Sequence, residues 1–451
     1  MKNANPTAGL VASCVMLLCA NAVRAQDWPQ WRGPNRDGIA NGFNAPKTWP
    51  KDLTQKWKVT VGNGDATPAL VGDKLYVFTL QEGKEVIRCL DAGAGKEIWK
   101  DEYEAKGATP PAAGPHEGPR SSPAVADGKV VTLGVRGMLS CLDAATGKKL
   151  WRKNEFEGVW PRFFVASSPI IVDGLCIAQL GGAKGGDKSG GIVAYDLTTG
   201  EQKWKWTGDG PGYASPVLMD VGGTKLIVAE TDSKVVAVTA ADGKLVWETP
   251  FTVERMNYNA ATPVVDRQTI IYGGGGRGFT AVKIEKQGDQ FKAKELWKNK
   301  DNSVQFNTPV LKKDLLYALS QGNQFFCLNA QTGKTAWTAP KAEASAGGGR
   351  GGPGAPGGAS GPGGPGGRGG PGGRGGMMGA RGGYGNIVDA SSVLLALTPS
   401  SELIIFQPSD KEYTEVTRTK VAATPTYAYF VVSGNRIYIK DQDSVTLWTV
   451  D

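Results

Sequence analysis

Histidine is almost missing from this chain: His116 is the single one in 451 residues. Any Ser–His–Asp relay or histidine-containing zinc site would have to be built on it. It stands in Pro110-Pro-Ala-Ala-Gly-Pro-His-Glu-Gly-Pro119, a loop sequence, so it reads as a solvated loop residue and no catalytic residue is assigned. Cysteine is also scarce. Two of the six lie in the first 25 residues, and the rest are Cys89, Cys141, Cys176 and Cys327, with no adjacent pair and no metal-like spacing, so no metal site is assigned. Long apolar runs are absent apart from Gly9–Ala20, which is too short to span a bilayer comfortably, and no transmembrane segment is expected. Charge of one sign is scarce outside a single stretch. The formal charge is +8, and four arginines of that excess (Arg350, Arg368, Arg374, Arg381) sit in 346–385, which has no acid. The remainder is too near neutrality for a nucleic-acid-binding surface.

What the chain does have is a recurring eleven-residue phrase. It runs from Cys89 to Trp99 (Cys-Leu-Asp-Ala-Gly-Ala-Gly-Lys-Glu-Ile-Trp), from Cys141 to Trp151, from Ala194 to Trp204, from Ala237 to Trp247 and from Cys327 to Trp337. A Thr-Pro or Ser-Pro pair followed by an apolar run precedes each copy: Thr67-Pro68, Ser122-Pro123, Ser168-Pro169, Ser215-Pro216, Thr262-Pro263 and Thr308-Pro309, with a further pair at Thr424-Pro425. Most successive prolines are about 46–47 residues apart, the period of a four-stranded propeller blade.

One repeat can be read strand by strand. Ala124–Ala126 enters, Lys129–Leu133 and a run ending at Leu142 follow, and Trp151 opens the fourth strand. Asp127-Gly128 and Thr146-Gly147 are hairpin turns, and Asp143 is expected to accept hydrogen bonds from the turn backbone. Proline suits the first residue of a strand, where its missing N–H costs least. Trp57, Trp99, Trp151, Trp204, Trp247, Trp297 and Trp337 are read as structural residues wedged between blades. Cys89, Cys141 and Cys327 share one repeat position, held by alanine in other copies, and read as small buried residues; equivalent points on neighbouring blades are too far apart for a disulfide. The fold class is therefore all-β, an eight-bladed propeller, with seven blades as the alternative because the fifth and seventh repeats are degenerate. The last repeat lacks an outer strand, and the run Gln55–Val61 is expected to supply it and close the ring.

Four regions are assigned. Residues 1–25 read as a cleaved secretory leader, with Lys2, the apolar run and Val23-Arg24-Ala25 before the cut, and lipidation is not expected although Val11-Ala-Ser-Cys14 loosely resembles a lipoprotein box. Residues 26–54 form a lead-in segment packed on the ring, and 55–451 form the propeller. The segment 346–386 is Gly/Pro/Arg-rich, cannot form a packed core and is expected to be a disordered loop. The location implied is periplasmic or secreted.

The phrase Ala-x-Asp-x-x-x-Gly-Lys-x-x-Trp resembles the tryptophan-docking motif of pyrroloquinoline-quinone (PQQ) repeat propellers. The opening Trp28-Pro-Gln-Trp31-Arg-Gly-Pro-Asn-Arg-Asp-Gly38 and the stretch Gly118-Pro-Arg120-Ser-Ser-Pro123 are similar to segments of exported members. The resemblance implies two functional branches: quinoprotein dehydrogenases that hold PQQ with Ca²⁺, and non-catalytic propellers of the BamB kind that act as binding platforms. The first branch implies an adjacent Cys-Cys pair and a Glu/Asn/Asp calcium cluster. This chain has no such pair, so neither PQQ nor Ca²⁺ is expected, and a BamB-like monomer that engages a protein or another envelope component, but no nucleic acid, is the preferred reading. A PQQ-dependent oxidoreductase and a carbohydrate- or polymer-binding propeller stay open as alternatives.

Residues just before each innermost strand should face one mouth of the central channel. Six polar candidates follow: Asp65, Arg120, Tyr213, Asn259, Asn307 and Asp389, with Arg120 foremost. Trp28, Trp31 and Arg32 are read as packing the lead-in segment. Gly273–Gly278 lacks the Gly-Lys-Ser/Thr ending of a phosphate loop and reads as a wide turn or a close backbone contact.

Overall fold

In the computed structural model, the described residues are 26–105, 116–182, 190–253, 258–340 and 383–450. The leader assignment and residues 346–382 of the Gly/Pro/Arg-rich segment lie outside them. That segment was expected to run to 386, but Gly383 donates its N–H to Asn323 and Asn386 opens a strand.

Why the chain makes blades follows from the burial of successive strands. Second and third strands such as Lys74–Gln81 and Lys84–Asp91 are mostly apolar in their central residues and buried on both faces. A sheet with two apolar faces has to stack on both sides. Outer strands such as Glu97–Glu104 and Thr335–Thr338 carry mostly polar or charged side chains and stay partly exposed. Eight four-stranded antiparallel sheets result, spanning 69–104, 124–153, 170–206, 217–250, 264–299, 310–338, 386–420 and 431–449. We number these blades one to eight. Thr54–Thr60 pairs antiparallel with Ser444–Thr449 as the outer strand of blade eight, so the lead chain closes the ring as expected.

The two ends of the repeated phrase are complementary halves of one contact. The Nε1–H of Trp99 donates to the carbonyl of Ala144 in the next blade, Trp151 to Leu197, Trp204 to Ala240 and Trp297 to Ala330, all within 3.2 Å. Each indole also lies over the glycine of the next copy of the phrase. A Cβ on Gly147 would stand 2.5 Å from Trp99, and one on Gly243 would stand 2.4 Å from Trp204. The glycine thus serves a positive φ of about +70° and a close approach together. Asp143 accepts from the backbone of Ala145 and Thr146, and Asp196 does the same for Thr198 and Thr199. A bulge recurs after the third-strand position of Cys89, Cys141, Ala194 and Cys327, breaking the regularity of the outer strand. The four described cysteines are free and buried, and burial pushes Cys89 up to about 11 and Cys141 and Cys327 up to about 12. The Gly273–Gly278 run is a hairpin connection, with Gly274 paired to Gly278.

At the axis, eight first strands present free edges. In blades one to five an N–H just before that strand is met by a chain of hydroxyls running blade to blade. Thr67 N donates to Ser122 Oγ, Ser122 to Ser168, Ser168 to Ser215, Ser215 to Thr262 and Thr262 to Thr308, at 2.9–3.1 Å. The backbone groups at the far end, N–H and carbonyl alike, are met by the lead-in segment. Trp28 exchanges backbone hydrogen bonds with Leu70 of blade one, Pro29 accepts from Val125 of blade two, and Gly38 and Ala40 bracket Asp389 of blade seven. Arg32 donates to Pro309 O at 2.6 Å. Arg36 donates to Ser168 O at 3.2 Å, to Pro216 O at 2.8 Å and to Pro169 O. Both guanidinium groups are buried, and burial lowers the Arg36 pKa to about 9.

Two stability measurements check these contacts. Gly128 has φ +69° with open space at its Cβ, whereas Gly147 has φ +74° with Trp99 in the way. In urea unfolding, Gly128→Ala should cost about 1–2 kcal/mol from backbone strain alone, and Gly147→Ala roughly 1–3 kcal/mol more from overpacking. Arg36→Met leaves three buried carbonyls without donors and should destabilise the ring by about 2–4 kcal/mol in the same assay.

Candidate functional site

The strand register fixes which residue of each blade faces the channel. Val71 pairs with Lys74 at the first hairpin of blade one, and the residue six before Val71, Asp65, lines a cavity of about 1090 Å³ around the axis. The same count from Ala126 gives Arg120, and from Val221 (with a longer first strand) the corresponding wall residue is Tyr213. Phe306 fills the position in blade six, and Ala166 and Ala260 leave room in blades three and five. In blades seven and eight the hairpin pairs are Ala390 with Val393 and Ser433 with Arg436, which places Tyr384 and Tyr427 on the wall.

Three of the six sequence candidates, Asp65, Arg120 and Tyr213, therefore lie on the cavity wall, and three do not. Asn259 is one residue too early. Its side chain is buried and donates to the carbonyls of Thr231, Asp232 and Phe251. Asn307 is one residue too late, bridging Gly385 O and Leu319 N. Asp389 lies within its strand, paired with Lys312 at 2.7 Å and bonded through its backbone to the lead-in segment. The cause is the missing proline signal of blade seven, which left its register open. The Thr424-Pro425 pair misleads in the same way. The register puts Tyr429 and Phe430 at the hydroxyl and proline positions of blade eight, with Pro425 in the cavity wall.

Sequence reasoning also missed most of the aromatic lining. Phe163, Tyr213 and Tyr258 form one cluster, with ring centroids 4.9–6.3 Å apart. Phe306 and Tyr384 stack at 4.2 Å with 6° between planes, and Tyr427 meets Tyr384 edge-on. Trp31 of the lead-in segment reaches the cavity and meets Tyr429 edge-on at 5.4 Å, so it does more than pack that segment. His116 is not a solvated loop residue. Its side chain is 18% exposed, its Nδ1 lies 2.7 Å from Asp65 Oδ2, and its ring lies 4.3 Å from that of Tyr427 and 5.2 Å from that of Tyr384. Counting two residues before each inner hydroxyl, rather than searching for polar types, would have found Phe306; Tyr384 and Tyr427 carry no such signal, because their blades lack that hydroxyl.

Electrostatically the chamber is lopsided. Asp65 is engaged by His116. Arg120 is held through Nη2 by the carbonyls of Phe163 and, at 3.5 Å, Val165. Its Nε is buried with no partner among the described residues, as is the hydroxyl of Tyr258. Burial lowers the Arg120 pKa, with Asp65 opposing that shift from a distance. Behind the wall, burial brings Lys440 down to about 8; its ammonium donates to the carbonyls of Asp441 and Gln442. The cavity does not end at the axis. It continues as a slot between blades six and seven, past Leu319, Phe325 and Pro340 on one side and Ser400, Ile404 and Tyr413 on the other.

The comparisons with known proteins agree with this architecture. A family profile described as outer membrane protein assembly factor BamB matches residues 49–204 and 83–339. The chain is 32% identical over 193 residues to the quinohemoprotein alcohol dehydrogenase of Comamonas testosteroni, a match covering 42% of this chain and 26% of that protein. It is 23% identical over 304 residues to the outer membrane protein assembly factor BamB of Yersinia pestis, covering 63% and 70%. The crystal structure of BamB from Moraxella catarrhalis superposes with a TM-score of 0.60 at 15% identity, over 88% of this chain and 99% of that one. The chain thus spans about a quarter of the dehydrogenase it matches, and the structural likeness speaks to the fold.

Because there is one histidine, the aromatic packing can be tested without assignment. The His116 ring protons should resonate upfield of free histidine in proton NMR, and Tyr427→Ala should move them back toward it.

Proposed function

This chain belongs to the repeat family described as outer membrane protein assembly factor BamB, and on that premise we propose that it is a non-catalytic binding platform for another protein or envelope component. In this proposal the leader 1–25 is removed on export, the mature chain works as a monomer on the periplasmic side or outside the cell, and the propeller from 55 onward is a rigid frame. The observation that carries the reading is the cavity: a concave, aromatic-walled space held by eight blades that opens sideways between two of them. The outer rim supports docking less well. Its exposed large apolar residues, such as Ile98, Leu150, Leu245 and Leu296, come one from each of several blades.

The dehydrogenase relatives raise the question of a calcium–quinone centre. Calcium takes six to eight oxygen ligands, with carboxylates prominent among them. Among the described residues no group of three or more His, Cys, Asp or Glu side chains converges. The carboxylates of the cavity are Asp65, engaged by His116, and Glu402, out in the slot 3.6 Å from Arg418. These side chains do not fit such a centre, which favours binding over redox chemistry as the role of the cavity.

The test sets the two functions against each other. Purified mature chain supplied with PQQ and CaCl₂ should give no dye reduction with ethanol or 1-butanol above the protein-free blank. The same preparation should retain a discrete envelope protein in a stoichiometric complex by native mass spectrometry. Quinone- and calcium-dependent turnover would overturn the platform reading.

A further inference from the structure

Arg120 is an incompletely compensated charge on the cavity wall. It lines the cavity, it is partly buried with its Nε enclosed and without a partner, and no carboxylate lies within salt-bridge distance of it among the described residues. A guanidinium drawn partly out of water, with an enclosed N–H that has no acceptor, is placed to gain from an anion that meets it. Asp65 acts on it only from a distance, its carboxylate being hydrogen-bonded to His116. The Gly/Pro/Arg-rich segment cannot supply the anion, because its charge has the same sign as Arg120.

We propose that the axial chamber and its slot take an extended acidic peptide segment of a partner protein, with a carboxylate side chain on Arg120 and apolar side chains running outward between blades six and seven. This proposal rests on the platform reading and names the partner's chemistry. The size of the space argues for it. At about 1090 Å³ the cavity exceeds the usual 300–1,000 Å³ of small-molecule sites, and it is drawn out from the axis to the outer strands. The slot wall mixes apolar surface (Phe325, Ile404, Tyr413) with amides and hydroxyls (Asn323, Gln324, Ser400). A peptide backbone offers donors and acceptors at every residue to meet such a mixed wall, which a hydrocarbon tail does not. A neutral glycan would leave Arg120 unmet. The Tyr258 hydroxyl, also without a partner among the described residues, stands in the same chamber as a second donor for the carboxylate.

The experiment uses a fluorescein-labelled nonapeptide with a central aspartate flanked by phenylalanine and leucine, and its asparagine twin, titrated against the mature chain by fluorescence anisotropy. The aspartate peptide should bind at least tenfold tighter than its twin. Arg120→Gln should erase that ratio, and Arg120→Lys should keep part of it. Ser400→Trp, an exposed position on the slot wall, should weaken both peptides about equally and leave the ratio intact, which separates slot from chamber. Equal binding of the twins, or an undiminished ratio in Arg120→Gln, overturns the proposal. So does free N-acetylaspartate competing as well as the peptide, because the extended slot would then be idle. If neither peptide binds while the native complex with an envelope protein persists in Arg120→Gln, this inference fails and the platform stands. If that complex is also absent from the wild-type chain, the platform reading fails with it.

Discussion

Eight sheets that meet at an axis bring eight free strand edges together, and every edge carries backbone groups that no further strand will pair. Each unsatisfied buried group costs about as much as a lost hydrogen bond. The repeated Thr-Pro and Ser-Pro pairs answer this directly. Proline removes one N–H from the edge, and the hydroxyl before it accepts from the preceding blade, so six successive blades are stitched by one recurring bond. The carbonyls are answered from outside the repeat by Arg32 and Arg36, which enter the far end of the channel. The cavity follows from the same arrangement. Once the hydroxyl must point sideways to its neighbour, the residue two before it has only the channel to face.

The second constraint is between blades. The glycine and the tryptophan of the phrase seem unrelated within one copy, seven residues into it and at its end. They meet between copies, where indole covers glycine and its N–H reaches the next turn. A blade that keeps its phrase is locked on both faces, and one that loses it is free to vary. Blade seven has no tryptophan of this kind, and blades seven and eight replace the inner hydroxyl with Asn386 and Tyr429. These lapses supply Tyr384, Tyr427 and Tyr429 to the chamber, and the slot opens beside blade seven. The slot thus lies where the repeat is broken, as expected if departures from local consistency mark function.

This explains what could be read in the chain beforehand. Blade number, ring closure by Gln55–Val61 and the buried cysteines all follow from copies that resemble one another. The positions of Asp65, Arg120 and Tyr213 follow as well, because their blades carry the proline that fixes the count. Asn259 and Asn307 failed by one residue, since a polar side chain beside the wall is as useful for bonding a neighbouring loop as for facing the channel. Asp389 failed by five, since no proline fixed its blade. His116 failed for another reason. Its loop composition spoke only of its backbone, and the partners that bury its ring come from Asp65, Tyr384 and Tyr427, which are distant in the chain.

Arginines with different surroundings separate structure from binding within this one ring. Arg36 directs Nε to Gln30 and both terminal nitrogens to carbonyls of blades three and four, so its charge is dispersed over a full set of acceptors. Arg32 has fewer acceptors but lies against the rings of Trp31 and Tyr429 at 5.6 Å, which supply a partial counter-charge. Arg120 has carbonyls on one side only, and its other side lines an open chamber. A guanidinium whose acceptors are complete gains nothing from an anion and serves the fold. One whose acceptors stop halfway is placed to gain from something negative that completes the set, and among the three only Arg120 combines that deficit with access from outside.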